Sequence, residues 1–122
     1  MQEKILVADD ERHIVEGLQM LLADDGYEVD TATDGKAAWE KVRGGGYGVV
    51  LADLRMPELD GLELFKKMRD AGISAEIIII TGSASVDSAV SAMREGAYDY
   101  LEKPLNVDRL KALLPKALEA YR

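Results

Sequence analysis

The chain has 122 residues, with 15 Lys+Arg against 23 Asp+Glu, a formal net charge of -8, and no cysteine. The length suits one domain over residues 1–122, with a core that stands without staples. The acidic balance disfavours nucleic acid or an anionic membrane as a direct partner. The lack of cysteine excludes a disulfide framework, a thiol nucleophile and Cys-ligated zinc.

Apolar runs such as Ile77 to Ile80 are far too short to span a bilayer. Met1-Gln2-Glu3-Lys4 leads directly into a strand and lacks a signal-peptide pattern, so a cytoplasmic location is the default expectation. Ile5-Leu6-Val7-Ala8 is predicted as a buried strand running into Asp9-Asp10-Glu11. Ile14, Leu18, Leu21 and Leu22 then repeat at helical spacing up to Gly26. Tyr27 to Ala32 alternates polar and apolar residues, as a half-exposed strand does. Asp34 can cap a second helix whose apolar face is Ala38, Trp39 and Val42. Gly44-Gly45-Gly46 closes it.

Val49 to Asp53 is an apolar third strand ending on a carboxylate, and Pro57 and Asp60-Gly61 turn the chain. Asp60 caps a third helix, with Leu62, Phe65 and Met68 predicted to face inward and Gly72 after it. Ile77 to Ile80 is a β-branched fourth strand ending on Thr81-Gly82-Ser83. A helix from about Val86 carries Ala89, Val90 and Met93, and Gly96 follows. Tyr98 to Leu101 is a short fifth strand, followed by Glu102-Lys103-Pro104. Asn106 can cap a last helix with Leu110, Leu113, Leu114, Ala117 and Leu118 on one face.

Five β-α repeats of this kind predict an α/β fold. It is a doubly wound, flavodoxin-like (βα)5 three-layer sandwich with a parallel sheet of order 2-1-3-4-5. The apolar strands 1, 3 and 4 belong at its centre and the polar strand 2 at an edge. That order brings Asp9, Asp10, Asp53, Thr81 and Lys103 to the carboxyl edge of the sheet. Clustered carboxylates repel one another unless a cation sits among them, and an all-oxygen set suits Mg²⁺. An Asp beside such a metal can attack a phosphoryl group, with Lys103 and the Thr81 hydroxyl pairing its oxygens. Singly, Asp9-Asp10 is as good a helix cap, Lys103 a solvated lysine and Thr81 a strand end. Their joint placement favours the functional reading.

On these residues the sequence resembles the receiver domains of two-component response regulators, the chemotaxis-regulator-like family. The resemblance rests on Asp9-Asp10, Asp53 with Pro57 and Gly61, Thr81-Gly82, and Tyr100 with Lys103-Pro104. It implies phosphotransfer from a sensor histidine kinase to Asp53. Mg²⁺ would be held by Asp10, Asp53 and the Arg55 carbonyl, and Asp9 would act mostly through water. It also implies a cis Lys103-Pro104 bond and a switch in which Thr81 and Tyr100 move together. The switch would reshape a face lined by Val86, Val90, Met93, Arg94, Tyr98 and Tyr100, the expected surface for an output domain, a downstream protein or a homodimer formed on phosphorylation. Residues two beyond the acceptor and the Thr, here Arg55 and Ser83, would flank the path of the hydrolytic water. The stretch from Glu95 to Pro104 resembles receivers that precede sigma-54-type ATPase and DNA-binding domains, pointing to transcription regulation.

One departure is Pro115 inside the last helix. Proline in an ordinary helix interior costs about 3 kcal/mol, so a bend near Lys111 to Leu114 is expected rather than a stop. That bend argues against a helix-5 dimer of the usual form. A Mg²⁺-dependent phosphohydrolase is a rival, but it needs an acid two residues after the nucleophile, where this chain has Arg55. A degenerate receiver used only for binding would lack one of the five residues, and none is missing. Gly44-Gly45-Gly46 precedes a strand and lacks Gly-Lys-Ser/Thr, so it is a turn rather than a phosphate loop. His13 is expected on an exposed helix surface, Trp39 in the core, and Asp24-Asp25 at a solvated helix end. A chain ending in a helix fits both a single-domain regulator and a piece cut before an output domain.

Overall fold

The computed structural model describes residues 4–82 and 86–121. The elements alternate as β1 (Lys4–Ala8), α1 (Arg12–Asp24), β2 (Glu28–Ala32), α2 (Gly35–Val42) and β3 (Tyr47–Asp53). They continue as α3 (Gly61–Asp70), β4 (Glu76–Thr81), α4 (Val86–Arg94), β5 (Asp99–Glu102) and α5 (Val107–Tyr121). The strands form one parallel sheet in the order β2-β1-β3-β4-β5, as the alternation predicts.

Side chains of a strand alternate between its two faces, so each central strand feeds two cores. Leu6, Val50, Ile77 and Ile79 point to one face and pack against Ala38, Leu64, Met68 and Ala92 of α2, α3 and α4. Ile5, Val7, Leu51, Ile78 and Ile80 point to the other and pack against Val15, Leu22, Leu110 and Leu114 of α1 and α5. Every residue of β3 is buried, whereas β2 has only Ala32 buried, as suits a centre and an edge. Complete burial of a Leu or Ile side chain stabilises by about 1.5–3 kcal/mol, so β3 and β4 anchor the fold.

Local chemistry sets the helix starts. The Asp34 carboxylate accepts from the Ala37 N–H at 2.7 Å, and the Asn106 side-chain oxygen from the Arg109 N–H at 3.0 Å. Asp60 and Glu63 form a reciprocal capping box on α3. Gly26 and Gly96 end α1 and α4 at φ 92 and 103, where a side chain would be strained.

Several inward faces differ from expectation. In α3 the completely buried position is Leu64, and Leu62 is half-buried against the same core. In α1 Val15 is buried, and Ile14 and Leu21 only line the core. Trp39 is half-buried, with the Lys67 ammonium 5.4 Å from its ring centre, so it seals the α2–α3 seam rather than filling the core. β3 begins at Tyr47, two residues before the apolar run, because Tyr47 already pairs with Lys4 of β1, and its hydroxyl donates to Asp30 Oδ2 at 2.6 Å. Helix α5 runs through Pro115 without a stop. Among the described residues no helix is long and apolar enough to cross a membrane.

Candidate functional site

The carboxyl edge of the sheet collects the predicted residues from four strand ends. Asp9 follows β1, and its backbone N–H extends the ladder to the Ala32 carbonyl at 3.0 Å. Asp53 is the last residue of β3, paired in register with Ile80. Thr81 ends β4 and is buried. The Lys103 N–H donates to the Thr81 carbonyl at 2.8 Å, which fixes the loop after β5 against β4. The Lys103-Pro104 bond is cis, as expected.

Asp9, Asp10 and Asp53 each place a carboxylate oxygen within 4.8 Å of the others. Asp9 and Asp53 are buried, and Asp10 is exposed. Asp53 is bracketed: its Oδ1 accepts from the Arg55 N–H at 3.2 Å and its Oδ2 from Lys103 Nζ at 3.1 Å. Lys103 Nζ also lies 2.7 Å from Asp9 Oδ2. That contact is an ion pair without hydrogen-bond alignment, so the buried Asp9 Oδ2 keeps an unused lone pair. A buried carboxylate oxygen whose close partner is the Lys103 ammonium, beside two more carboxylates, fits a hard divalent cation with oxygen ligands. The residues therefore fit the expected Mg²⁺.

Burial pushes the Asp53 carboxyl above its ordinary pKa; Lys103 opposes the rise, the Asp9 charge adds to it, and the Arg55 N–H opposes it. Burial would lower the Lys103 ammonium, but Asp9 and Asp53 reverse this and raise it well above the usual lysine value. Lys103 thus stays charged.

The β3–α3 loop is built to fold back onto Asp53. Its Leu54 N–H donates to the Ile80 carbonyl at 2.8 Å, and the Gly61 N–H to the Leu54 carbonyl at 3.0 Å. A Cβ at Gly61 would stand 2.6 Å from the Asp53 carbonyl oxygen, so only glycine allows this approach. Gly35 admits the same loop beside α2, where a Cβ would meet the Leu59 carbonyl oxygen at 1.7 Å. Beside Asp10 a cleft of about 510 Å³ opens between Arg55, Met56, Glu58 and Glu63.

The remaining predicted residues lie around this centre. The Arg55 side chain is exposed, its backbone being the part that touches Asp53. Ser83 lies outside the described residues, and so does the Val86 side chain. Tyr100 is half-buried against the α2–α3–α4 core, whereas Tyr98 packs against the α1–α5 core. The two tyrosines therefore do not share one face, because Tyr98 precedes β5 rather than opening it. Val90 and Met93 are exposed on α4. His13 is exposed, as expected.

Glu11 went unassigned in the sequence. Its Oε1 accepts from Lys103 Nζ at 3.2 Å across 92 residues of chain. The Asp-Asp-Glu run was the only available signal, and nothing in it names Lys103 as the partner.

The response regulator receiver domain model matches residues 5–115. The transcriptional regulatory protein ZraR of Klebsiella oxytoca is 44% identical over 121 residues, which is 99% of this chain and 27% of that protein. The Francisella response regulator 1452 receiver domain superposes with a TM-score of 0.92 at 30% identity, over 99% of this chain and 100% of that one. The beryllofluoride-activated NtrC4 receiver domain dimer gives 0.90 at 36% identity, over 98% of both chains. The chain thus spans about a quarter of the length of the ZraR relative. With the fold, the strand-end residues and these matches in agreement, the chain belongs to the response regulator receiver domain family.

Proposed function

We propose that this chain is a single receiver domain that accepts a phosphoryl group on Asp53 in the cytoplasm and passes the change to an output domain or partner protein. The observation that carries this reading is the pairing of Asp53, at the end of the fully buried β3, with Lys103 at 3.1 Å. An Asp53 carboxylate oxygen forms the new O–P bond. The P–N bond of a kinase phosphohistidine breaks, and the imidazole leaves with that electron pair and takes a proton from solvent. Asp9, Asp10, Asp53 and the Arg55 carbonyl would hold Mg²⁺, with Asp9 acting mostly through water. When bound, the metal screens the nucleophile from the phosphoryl oxygens. Lys103 supplies a fixed cation for one of those oxygens, and the Thr81 hydroxyl a donor for another. The Arg55 side chain, together with Ser83, flanks the approach of the hydrolytic water.

Pulling Thr81 toward the phosphoryl group vacates space at the end of β4, and Tyr100 on the adjacent strand moves to fill it. The exposed Val90 and Met93, with Arg94, form the responsive surface. The similarity to ZraR and to the activated NtrC4 dimer supports transcription regulation of the sigma-54 type and self-association on activation. Intact-protein mass spectrometry after treatment with a small phosphodonor and Mg²⁺ tests the acceptor. The wild type gains the mass of one phosphoryl group and Asp53→Asn gains none; equal labelling of both would overturn the assignment.

A further inference from the structure

We infer that Glu11 is a positioning residue for Lys103, holding the ammonium in the resting site and opposing its move toward a phosphoryl group. This rests on the reading of Asp53 as acceptor. Glu11 is the N-cap residue of α1, yet its side chain makes no capping hydrogen bond. Asp is a usual N-cap residue and Glu is not, so the longer Glu11 side chain is free to reach away from its own helix. Here the carboxylate turns to Lys103 instead, with Oε1 3.2 Å from Nζ and Oε2 3.6 Å from His13 Nε2. The Glu11 backbone N–H donates to Asp9 Oδ1 at 2.9 Å, so one residue both fixes Asp9 and pairs with the lysine beside it.

Lys103 has three N–H donors and three carboxylates around it: Asp9, Asp53 and Glu11. Phosphorylation removes the charge of Asp53 and brings in an anionic group, so the ammonium turns toward the phosphoryl oxygens. Asp9 is wholly buried and anchored, and stays with the lysine. The Glu11 side chain is 47% exposed, so water replaces its partner at small cost. Glu11 is therefore the contact that is surrendered. Until then its charge diverts the ammonium and repels the arriving anion. It lowers the stability of the phosphorylated state relative to the resting one.

Beryllofluoride, a stable phosphoryl mimic, provides the test on the full chain in the presence of Mg²⁺. Glu11→Gln keeps the shape and removes the charge. It should bind the mimic about two- to fivefold more tightly, the range for a partly exposed ion pair. The gain should shrink at high salt and vanish when Lys103→Met is added. A purely structural role for Glu11 would show neither dependence. Unchanged affinity in Glu11→Gln, or the same gain without Lys103, overturns the positioning role and leaves the acceptor assignment standing. Undiminished binding of the mimic to Asp53→Asn overturns the acceptor assignment and this inference with it.

Discussion

Lys103 Nζ donates to Asp53 Oδ2 at 3.1 Å while standing 2.7 Å from Asp9 Oδ2, so one ammonium holds together two buried carboxylates from different strand ends. Removing one partner of a buried charge set leaves the others uncompensated. Lys103→Met should therefore lower the unfolding free energy by about 3–5 kcal/mol near neutral pH. The Asp53 carboxyl is already raised by burial, and it rises further without the lysine. The native state then binds more protons than the unfolded state, so the deficit should narrow as pH falls and Asp53 protonates. Urea unfolding of both proteins at several pH values measures this. Millimolar Mg²⁺ should recover part of the loss at neutral pH.

The same linkage predicts the opposite sign for Asp53→Asn. A carboxyl whose folded pKa is raised costs stability once pH passes its unfolded value, and the cost is complete above the folded value. Asp53→Asn should thus be more stable than the wild type at neutral pH. The difference should fade toward the ordinary Asp pKa and below. Added Mg²⁺ should stabilise the wild type more than the variant, because ligand binding to the native state alone stabilises it. Thermal melts with and without the metal read both effects.

Gly61 and Glu58 give a contrasting pair in the loop beside the site. Gly61→Ala drives a Cβ into the Asp53 carbonyl oxygen, which is backbone and cannot give way cheaply. A loss of about 1–3 kcal/mol and slower phosphorylation are expected. Glu58 is the one non-glycine residue among those described with positive φ, at 72. Glu58→Gly should be neutral or stabilising by up to about 1 kcal/mol, since glycine carries no Cβ penalty there. Denaturant midpoints of the two variants should move in opposite directions or differ by at least the Gly61 cost.

Much of this architecture is legible in the sequence because its signals are local. Four-residue apolar runs bounded by Asp, Thr and Gly mark the buried strands, and Asp34, Asp60 and Asn106 announce the helix starts they cap. Apolarity separates the central strands from the polar edge strand 2, and the doubly wound rule for β-α repeats supplies the order. The candidate site residues are legible because each ends a strand or directly follows one. What eludes the sequence is set by rotation and reach. The choice of Leu64 over Leu62, or Val15 over Ile14, is a turn of a helix about its axis that neighbouring helices decide. Tyr98 and Tyr100 part because β5 starts one residue later than its apolar pattern suggests. The Glu11–Lys103 pair joins opposite ends of the chain and leaves no local trace.

The proposed switch makes a prediction at a distance. Beryllofluoride with Mg²⁺ should shift backbone NMR resonances of Val90, Met93 and Arg94 as well as those around Asp53. Thr81→Ala should keep the shifts near Asp53 and lose most of those on α4. Shifts on α4 that persist undiminished in Thr81→Ala would mean the signal travels by another route.

The central claim is that Asp53, among four neighbouring carboxylates, is the one that takes the phosphoryl group. Borohydride reduction of the phosphorylated wild type, followed by peptide mapping, identifies the modified position directly. The account predicts modification at Asp53 alone, dependent on Mg²⁺ and abolished by a chelator. Modification at Asp9, Asp10 or Glu11, or labelling of Asp53 that is indifferent to the chelator, would contradict it.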